Sequence, residues 1–167
     1  MASADGRVTT VLKPPTPFQG NELGVSVFLA GSIEMGKAED WQTQVINSLK
    51  EQEGAVTCTV LNPRRDDWDS SWVQSIENPQ FREQVEWELN AMDAATLIIM
   101  NFCPETQSPI TLLELGLHAR SGKLVVCCPK GFWRRGNVEV VCQRFGIKLV
   151  ESFDELIEYT KAYLRTK

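Results

Sequence analysis

Glutamate 114 stands among leucines, in Thr111-Leu112-Leu113-Glu114-Leu115-Gly116-Leu117, and its carboxylate falls in the second turn of a helix that is apolar nearly all round. An ionisable group in such a place must be paired or put to use, because an unpaired buried carboxylate costs several kcal/mol. Ser108 and Pro109 mark the start of this helix. Ser108 is expected to be its N-cap, accepting from an orphan amide, and Pro109 suits the first helical position because it lacks the N–H that would go unpaired there. The free amides of such a helix end suit an oxygen-rich ligand. A second candidate group is the loop from residue 62 to 72, where Trp68 and Trp72 alternate with Arg64, Arg65, Asp66, Asp67 and Asp69. Aromatic faces with hydrogen-bonding edges can stack on and grip a heteroaromatic ring. The plainer alternative is a loop pinned by its own tryptophans, with solvated ion pairs. Third, Gly31-Ser32 closes an apolar run, where a glycine allows close approach of a ligand or another backbone, or simply a tight turn.

The elements that must position these residues alternate regularly. Apolar runs at residues 25–30, 55–61, 94–101, 123–128 and 147–150 read as strands. Between them, residues 38–52, 81–91, 109–120 and 138–145 have helical spacing or helix-start signals, and a closing helix opens on Ser152-Phe153-Asp154-Glu155, the form of a capping box. Strands alternating with helices predict a doubly wound α/β fold, flavodoxin-like, with about five parallel strands and helices on both faces. Residues 1–24, broken by Pro14, Pro15, Pro17 and Gly20, read as an N-terminal extension to a domain over 25–167, with residues 8–12 able to add an edge strand or a partner contact. In the second helix Phe81, Val85, Leu89 and Met92 share one stripe, which puts Trp87 off it, on a surface suited to a partner subunit.

Composition excludes several classes. A chain of 167 residues, 43% hydrophobic and with a net charge of -5, can bury a real core and offers no general attraction to nucleic acid or anionic membrane. The five cysteines, Cys58, Cys103, Cys127, Cys128 and Cys142, have no zinc or redox spacing, and there is one histidine. No metal and no cofactor is implied. No targeting or membrane-spanning segment is visible, so the expectation is a reducing, cytoplasmic setting.

Four blocks resemble the nucleoside 2-deoxyribosyltransferase-like family: Phe28-Leu29-Ala30-Gly31-Ser32-Ile33 with Asp40-Trp41, Asn62-Pro63-Arg64-Arg65-Asp66-Asp67-Trp68, residues 108–116, and Gly136-Asn137-Val138. The resemblance runs from Val27 to about Val150 and implies a flavodoxin-like fold, homo-oligomers in which a neighbour helps close each site, and a glutamate that attacks the anomeric carbon. By motif that glutamate is Glu114. Oxocarbenium character at C1′ would be met by its carboxylate, giving a covalent sugar ester that a second base or water then attacks. Asp66 or Asp67 is the candidate to protonate the leaving base, with Trp68 as a stacking surface and Gly31, Ser32, Ser108 and Asn137 as substrate contacts.

The sequence departs from the family pattern in ways that leave the substrate open. Ser108 stands at the position that holds the sugar's 5′ end, where the transferases typically carry an aspartate and related nucleotide hydrolases a serine beside a 5′-phosphate. Glu34 follows where phosphate-binding relatives carry a basic residue, and Val27 and Phe28 stand where many relatives have a tyrosine. His118, one turn beyond Glu114, reads as structural. Three readings follow: a transferase moving 2-deoxyribose between bases, a hydrolase of deoxynucleosides or their 5′-monophosphates, and a nucleotide-binding sensor without chemistry. For Glu114 the plain alternative is an ion pair, with Arg120 or an arginine of a neighbour.

Overall fold

The computed structural model describes residues 7–34, 38–51 and 53–167. Its six strands are β1 (Thr9–Leu12), β2 (Ser26–Gly31), β3 (Cys58–Leu61), β4 (Leu97–Asn101), β5 (Leu124–Cys127) and β6 (Lys148–Val150). They form one sheet in the order β1-β3-β2-β4-β5-β6, and every neighbouring pair is parallel. The sheet is flavodoxin-like, with one strand more than the five expected. The addition is β1, which pairs with β3 from Thr9 opposite Cys58 to Leu12 opposite Leu61. Three β-branched residues, Thr9, Thr10 and Val11, suit a strand, and the place of β1 at the edge leaves one side of its backbone unpaired by another strand.

Five helices cover the two faces: α1 (Trp41–Lys50), α2 (Pro79–Ala94), α3 (Pro109–His118), α4 (Arg135–Phe145) and α5 (Phe153–Arg165). The inner strands are continuous apolar runs because both of their faces are buried, as a parallel sheet requires. In β2, Phe28 and Ala30 join one core with Trp87, Ala91 and Met92 of α2, Leu115 of α3 and Val138 and Cys142 of α4. Val27 and Leu29 point to the other face, into a core with Trp41, Val45 and Leu49 of α1 and Leu156 and Leu164 of α5. Half of the expected capping box at α5 forms: the Ser152 hydroxyl accepts from the amide of Glu155 at 3.2 Å, while the Glu155 carboxylate accepts from the amide of Glu151, one residue before the cap, at 3.0 Å. Among the described residues, no helix is long and apolar enough to cross a membrane.

Three local expectations change. Trp87 is not on the surface; it is 6% exposed, its indole N–H donates to the Thr16 carbonyl at 2.8 Å, and Phe18 meets it edge-on at 5.6 Å. The N-terminal stretch therefore packs on α2, and the buried residues of α2 are Gln84, Trp87, Ala91 and Met92, while Leu89 is 40% exposed. The stripe rotated because the segment carrying Phe18 supplies apolar cover on a side where periodicity alone put solvent. Finally, α4 begins at Arg135, so Gly136 and Asn137 lie in its first turn rather than in the preceding loop.

Candidate active site

Chain order reverses direction across the sheet between β2 and β4, and ligands of doubly wound sheets bind in the crevice outside the strand ends at such a point. Gly31 and Asn101 face each other in register at those ends. Gly31 has φ +147°, and a Cβ there would collide with the Asn101 carbonyl and lie 2.8 Å from the Trp41 ring. Glycine is thus required for close strand approach as well as for backbone conformation. The next residue turns inward: the Ser32 amide donates to the Asn101 carbonyl at 3.0 Å, and its hydroxyl accepts from the Cys103 amide at 3.0 Å.

Around that hydroxyl the loop after β4 builds a buried cluster. Ser32 Oγ lies 2.9 Å from Thr106 Oγ1 and 2.5 Å from Ser108 Oγ, and the latter two are 2.7 Å apart. Ser108 is consequently not the N-cap of α3 by its side chain. It adopts a left-handed conformation, φ +49°, makes no side-chain cap bond, and gives its hydroxyl to this cluster. Just before the helix, Glu34 Oε1 accepts from the amides of Gln107 at 2.7 Å and Ser108 at 2.5 Å.

Helix α3 buries Thr111, Glu114, Leu115 and His118, one face at spacings of three and four residues. Glu114 is 8% exposed and has no hydrogen-bond or ion-pair partner among the described residues. Arg120 does not pair with it; its guanidinium lies over the Phe145 ring at 4.8 Å. Burial, and then the charge of Glu88, push the Glu114 carboxyl up to about 8. Glu88, on α2, is itself pushed up to about 7 by burial, against a hydrogen bond from Gln84 that favours its charged form. Gln84 Nε2 donates to Glu88 Oε1 at 2.6 Å and to the Pro63 carbonyl at 3.0 Å, tying the carboxylate to the loop after β3. Burial, and then Lys123, hold His118 below the ordinary imidazole range, against the charge of Asp93.

Sequence reasoning missed Glu88. The available signal was its place one turn after Gln84 and one turn before Ala91 and Met92, a charge on the stripe that turns out to be buried. It was masked by reading Trp87 as exposed. Asp66 and Asp67 are both exposed; Asp66 pairs with Lys13 at 2.8 Å, and Asp67 pairs with Arg65 at 2.9 Å. Trp68 packs edge-on to Trp72 with ring centroids 5.0 Å apart, and Arg65 lies over Trp72 at 5.0 Å, so the loop is largely pinned by its own aromatics. Three polar atoms in this region are buried without a hydrogen-bond partner among the described residues, Arg65 Nη1, the Trp68 indole N–H and Gln84 Oε1. Asn137 is exposed at the start of α4, and the structure does not bring it to the hydroxyl cluster or Glu114 by any hydrogen bond.

Fold and site together define a doubly wound α/β protein in which Glu114, buried on the helix after β4, feels the charge of the half-buried Glu88 on α2. A family model described as nucleoside 2-deoxyribosyltransferase like matches residues 24–132, which include Gly31, Ser32, Glu88, Ser108 and Glu114. The chain belongs to the nucleoside 2-deoxyribosyltransferase-like family. No curated protein matches it at a significant level. Membership supports a glycosyl-transfer or related hydrolase activity on a nucleoside type of substrate.

Proposed function

We propose that the protein cleaves the N-glycosidic bond of a 2′-deoxynucleoside through Glu114 and transfers the sugar to a second base. One observation carries the reading: Glu114 is a buried carboxylate without a partner, next to a second carboxylate whose proton affinity is also raised. Two such groups at neutral pH hold one proton between them, and the reaction uses the form in which Glu88 carries that proton and Glu114 is ionised. In the first step a carboxylate oxygen of Glu114 bonds to C1′ as the bond to the base breaks. The electron pair leaves on the base nitrogen, which takes a proton from Glu88. A nitrogen of the incoming base then attacks C1′, displaces Glu114, and returns its proton to Glu88.

Glu88 takes the acid role here in preference to Asp66 and Asp67, which are exposed and each committed to a cation. An acid with a pKa of about 7 is matched to proton transfer at neutral pH. Gly31 and the Ser32–Thr106–Ser108 cluster form the floor at the 5′ end of the sugar. Trp68 remains a candidate stacking surface for the base, and Asn137 a contact that a neighbouring subunit would have to bring to the site. The apolar surroundings of Glu114 keep water from the sugar ester and favour a base as acceptor.

The test is base exchange followed by chromatography, with wild type and Glu114→Ala, deoxynucleosides, and a second free base. New nucleoside formed only with the acceptor and only by wild type is the expected result. Free base without exchange would make the protein a hydrolase, and no Glu114-dependent release from any deoxynucleoside or 5′-monophosphate would refute the catalytic reading.

A further inference from the structure

We infer that Gln84 is a positioning residue for the proposed reaction: its amide nitrogen holds Oε1 of Glu88, so that the proton given to the leaving base is carried on Oε2. The inference rests on the reading of Glu88 as the acid and on the hydrogen bonds of Gln84 for its direction. Residues 84 and 88 stand one turn apart on α2, so their side chains share a face. Gln84 lies in the buried stripe with Trp87, Ala91 and Met92 and is 5% exposed. A long polar side chain there loses rotamer freedom and the hydration of its amide, and an apolar residue of the same length would fill the space at lower cost. What the amide gains is two contacts through one atom. Nε2 donates to the Pro63 carbonyl at 3.0 Å and to Glu88 Oε1 at 2.6 Å. Oε1 of Gln84, by contrast, is buried with no hydrogen-bond partner among the described residues. Both N–H groups are used and the acceptor is left over, so the side chain serves as a donor alone.

The partners fix which way the amide faces. A peptide carbonyl can only accept, so the nitrogen must face Pro63, and a flipped amide would set oxygen against oxygen at both contacts. Pro63 in turn is held on both sides along the chain. The Asn62 amide donates to the Leu12 carbonyl of β1 at 2.9 Å, and Arg64 donates to Gln42 Oε1 at 3.0 Å and to the Ala38 and Glu39 carbonyls, both at 3.3 Å, at and just before α1. The donor is thus anchored by backbone that two other elements hold in place. Its N–H stabilises negative charge on the oxygen it meets, which makes that oxygen the poorer carrier of the proton. Oε2, which has no hydrogen-bond partner among the described residues, is therefore the protonated oxygen and the one free to donate. The same contact sets the strength of the acid. Burial pushes the Glu88 carboxyl up and the Gln84 N–H pulls it back, to about 7, while the charged group that feels Glu88 from α3 is Glu114. Without Gln84 the acid would hold its proton more tightly and on either oxygen.

The experiment compares wild type with Gln84→Met, which keeps the length of the side chain and removes both N–H donors. The substrates are an ordinary 2′-deoxynucleoside and a 7-methylated purine 2′-deoxynucleoside, whose leaving base needs no proton. Gln84→Met should lower kcat on the ordinary substrate by about tenfold, part of the roughly 10²–10⁴-fold that a general acid contributes, and change it on the methylated one by less than about twofold. Equal slowing of both substrates would mean that Gln84 only supports the loop through Pro63, and an unchanged kcat on both would mean that Glu88 needs no holding. Either result overturns the inference while base release by Glu114 stands. A readout without chemistry keeps the two apart: titration of the Glu88 carboxyl carbon by NMR, assigned with Glu88→Gln. Its midpoint should rise by on the order of one pH unit in Gln84→Met, the effect of losing one hydrogen bond to a charged group. No base release from wild type would refute the proposed reaction, and the titration alone would then decide on Gln84. A raised midpoint supports its hold on Glu88, and an unchanged or lowered one refutes it.

Discussion

Replacing Glu114 by glutamine removes a buried charge while keeping size and shape, and its effect on stability can be worked out from the site. Burial and Glu88 raise the Glu114 carboxyl from 4.5 to about 8. The folded protein therefore holds this proton more tightly than the unfolded chain does. Stability contributed by the protonated form is fully present below about pH 4.5 and is lost as the pH rises to about 8, after which the loss stays constant. At 1.36 kcal/mol per tenfold change in proton affinity, the full loss is on the order of 3–5 kcal/mol, a large part of the roughly 5–15 kcal/mol that stabilises a typical domain. Glu114→Gln lacks the titration. Its urea midpoint should match wild type closely at pH 5 and exceed it at pH 9 by that amount of free energy, with the denaturant slope unchanged. The same variant should release base at least about 10³-fold more slowly, because an amide cannot form the sugar ester. Stability curves that run parallel from pH 5 to 9 would mean that Glu114 ionises normally, and the argument from a buried, unpaired carboxylate would fail.

Other outcomes follow from neighbouring features. Glu88→Gln should slow base release by about 10²–10⁴-fold with ordinary bases, yet much less with a 7-methylated purine nucleoside, whose leaving base is already cationic and needs no proton. Equal slowing of both substrates would assign Glu88 a structural part only. In wild type, kcat/KM should rise with pH through the range 7–8, where the pair loses its first proton, and a rise centred near 4–5 would contradict the raised values. Gly31→Ala should destabilise by about 2–4 kcal/mol in urea unfolding, since its Cβ meets the Asn101 carbonyl and the Trp41 ring and its φ is unfavourable; a change under about 1 kcal/mol would show that β2 and β4 can move apart. Ile110, Leu113 and Leu117 are 57–59% exposed in a stripe along the outer face of α3, and we propose that a second copy of the chain covers them. Light scattering should find a mass above the 18.8 kDa of one chain, and Leu113→Glu with Leu117→Glu should reduce both mass and activity; a fully active monomer would remove the neighbour from the site.

The sequence by itself determined whatever depends on near neighbours along the chain. Alternating strand and helix periods specified a parallel, doubly wound sheet, because a period of 2 or 3.6 decides which side chains can share a buried face. The Ser108-Pro109 start placed α3, and the leucines around Glu114 marked its carboxylate as one that burial would perturb. Only the tertiary structure decided what meets across elements. Trp87 is buried because Phe18 and the Thr16 carbonyl come from a segment far upstream, and no helical period records that cover. The side chain of Ser108 makes no cap bond because Ser32 and Thr106 hold its hydroxyl, while Glu34 holds its amide. Asp66 and Asp67, the residues proposed from the family motif as candidate acids, form exposed pairs with Lys13 and Arg65, while Glu88 of another helix comes close enough for its charge to act on Glu114. A carboxylate's chemistry is set by its distance from other charges and from water, and both are fixed only when the helices pack.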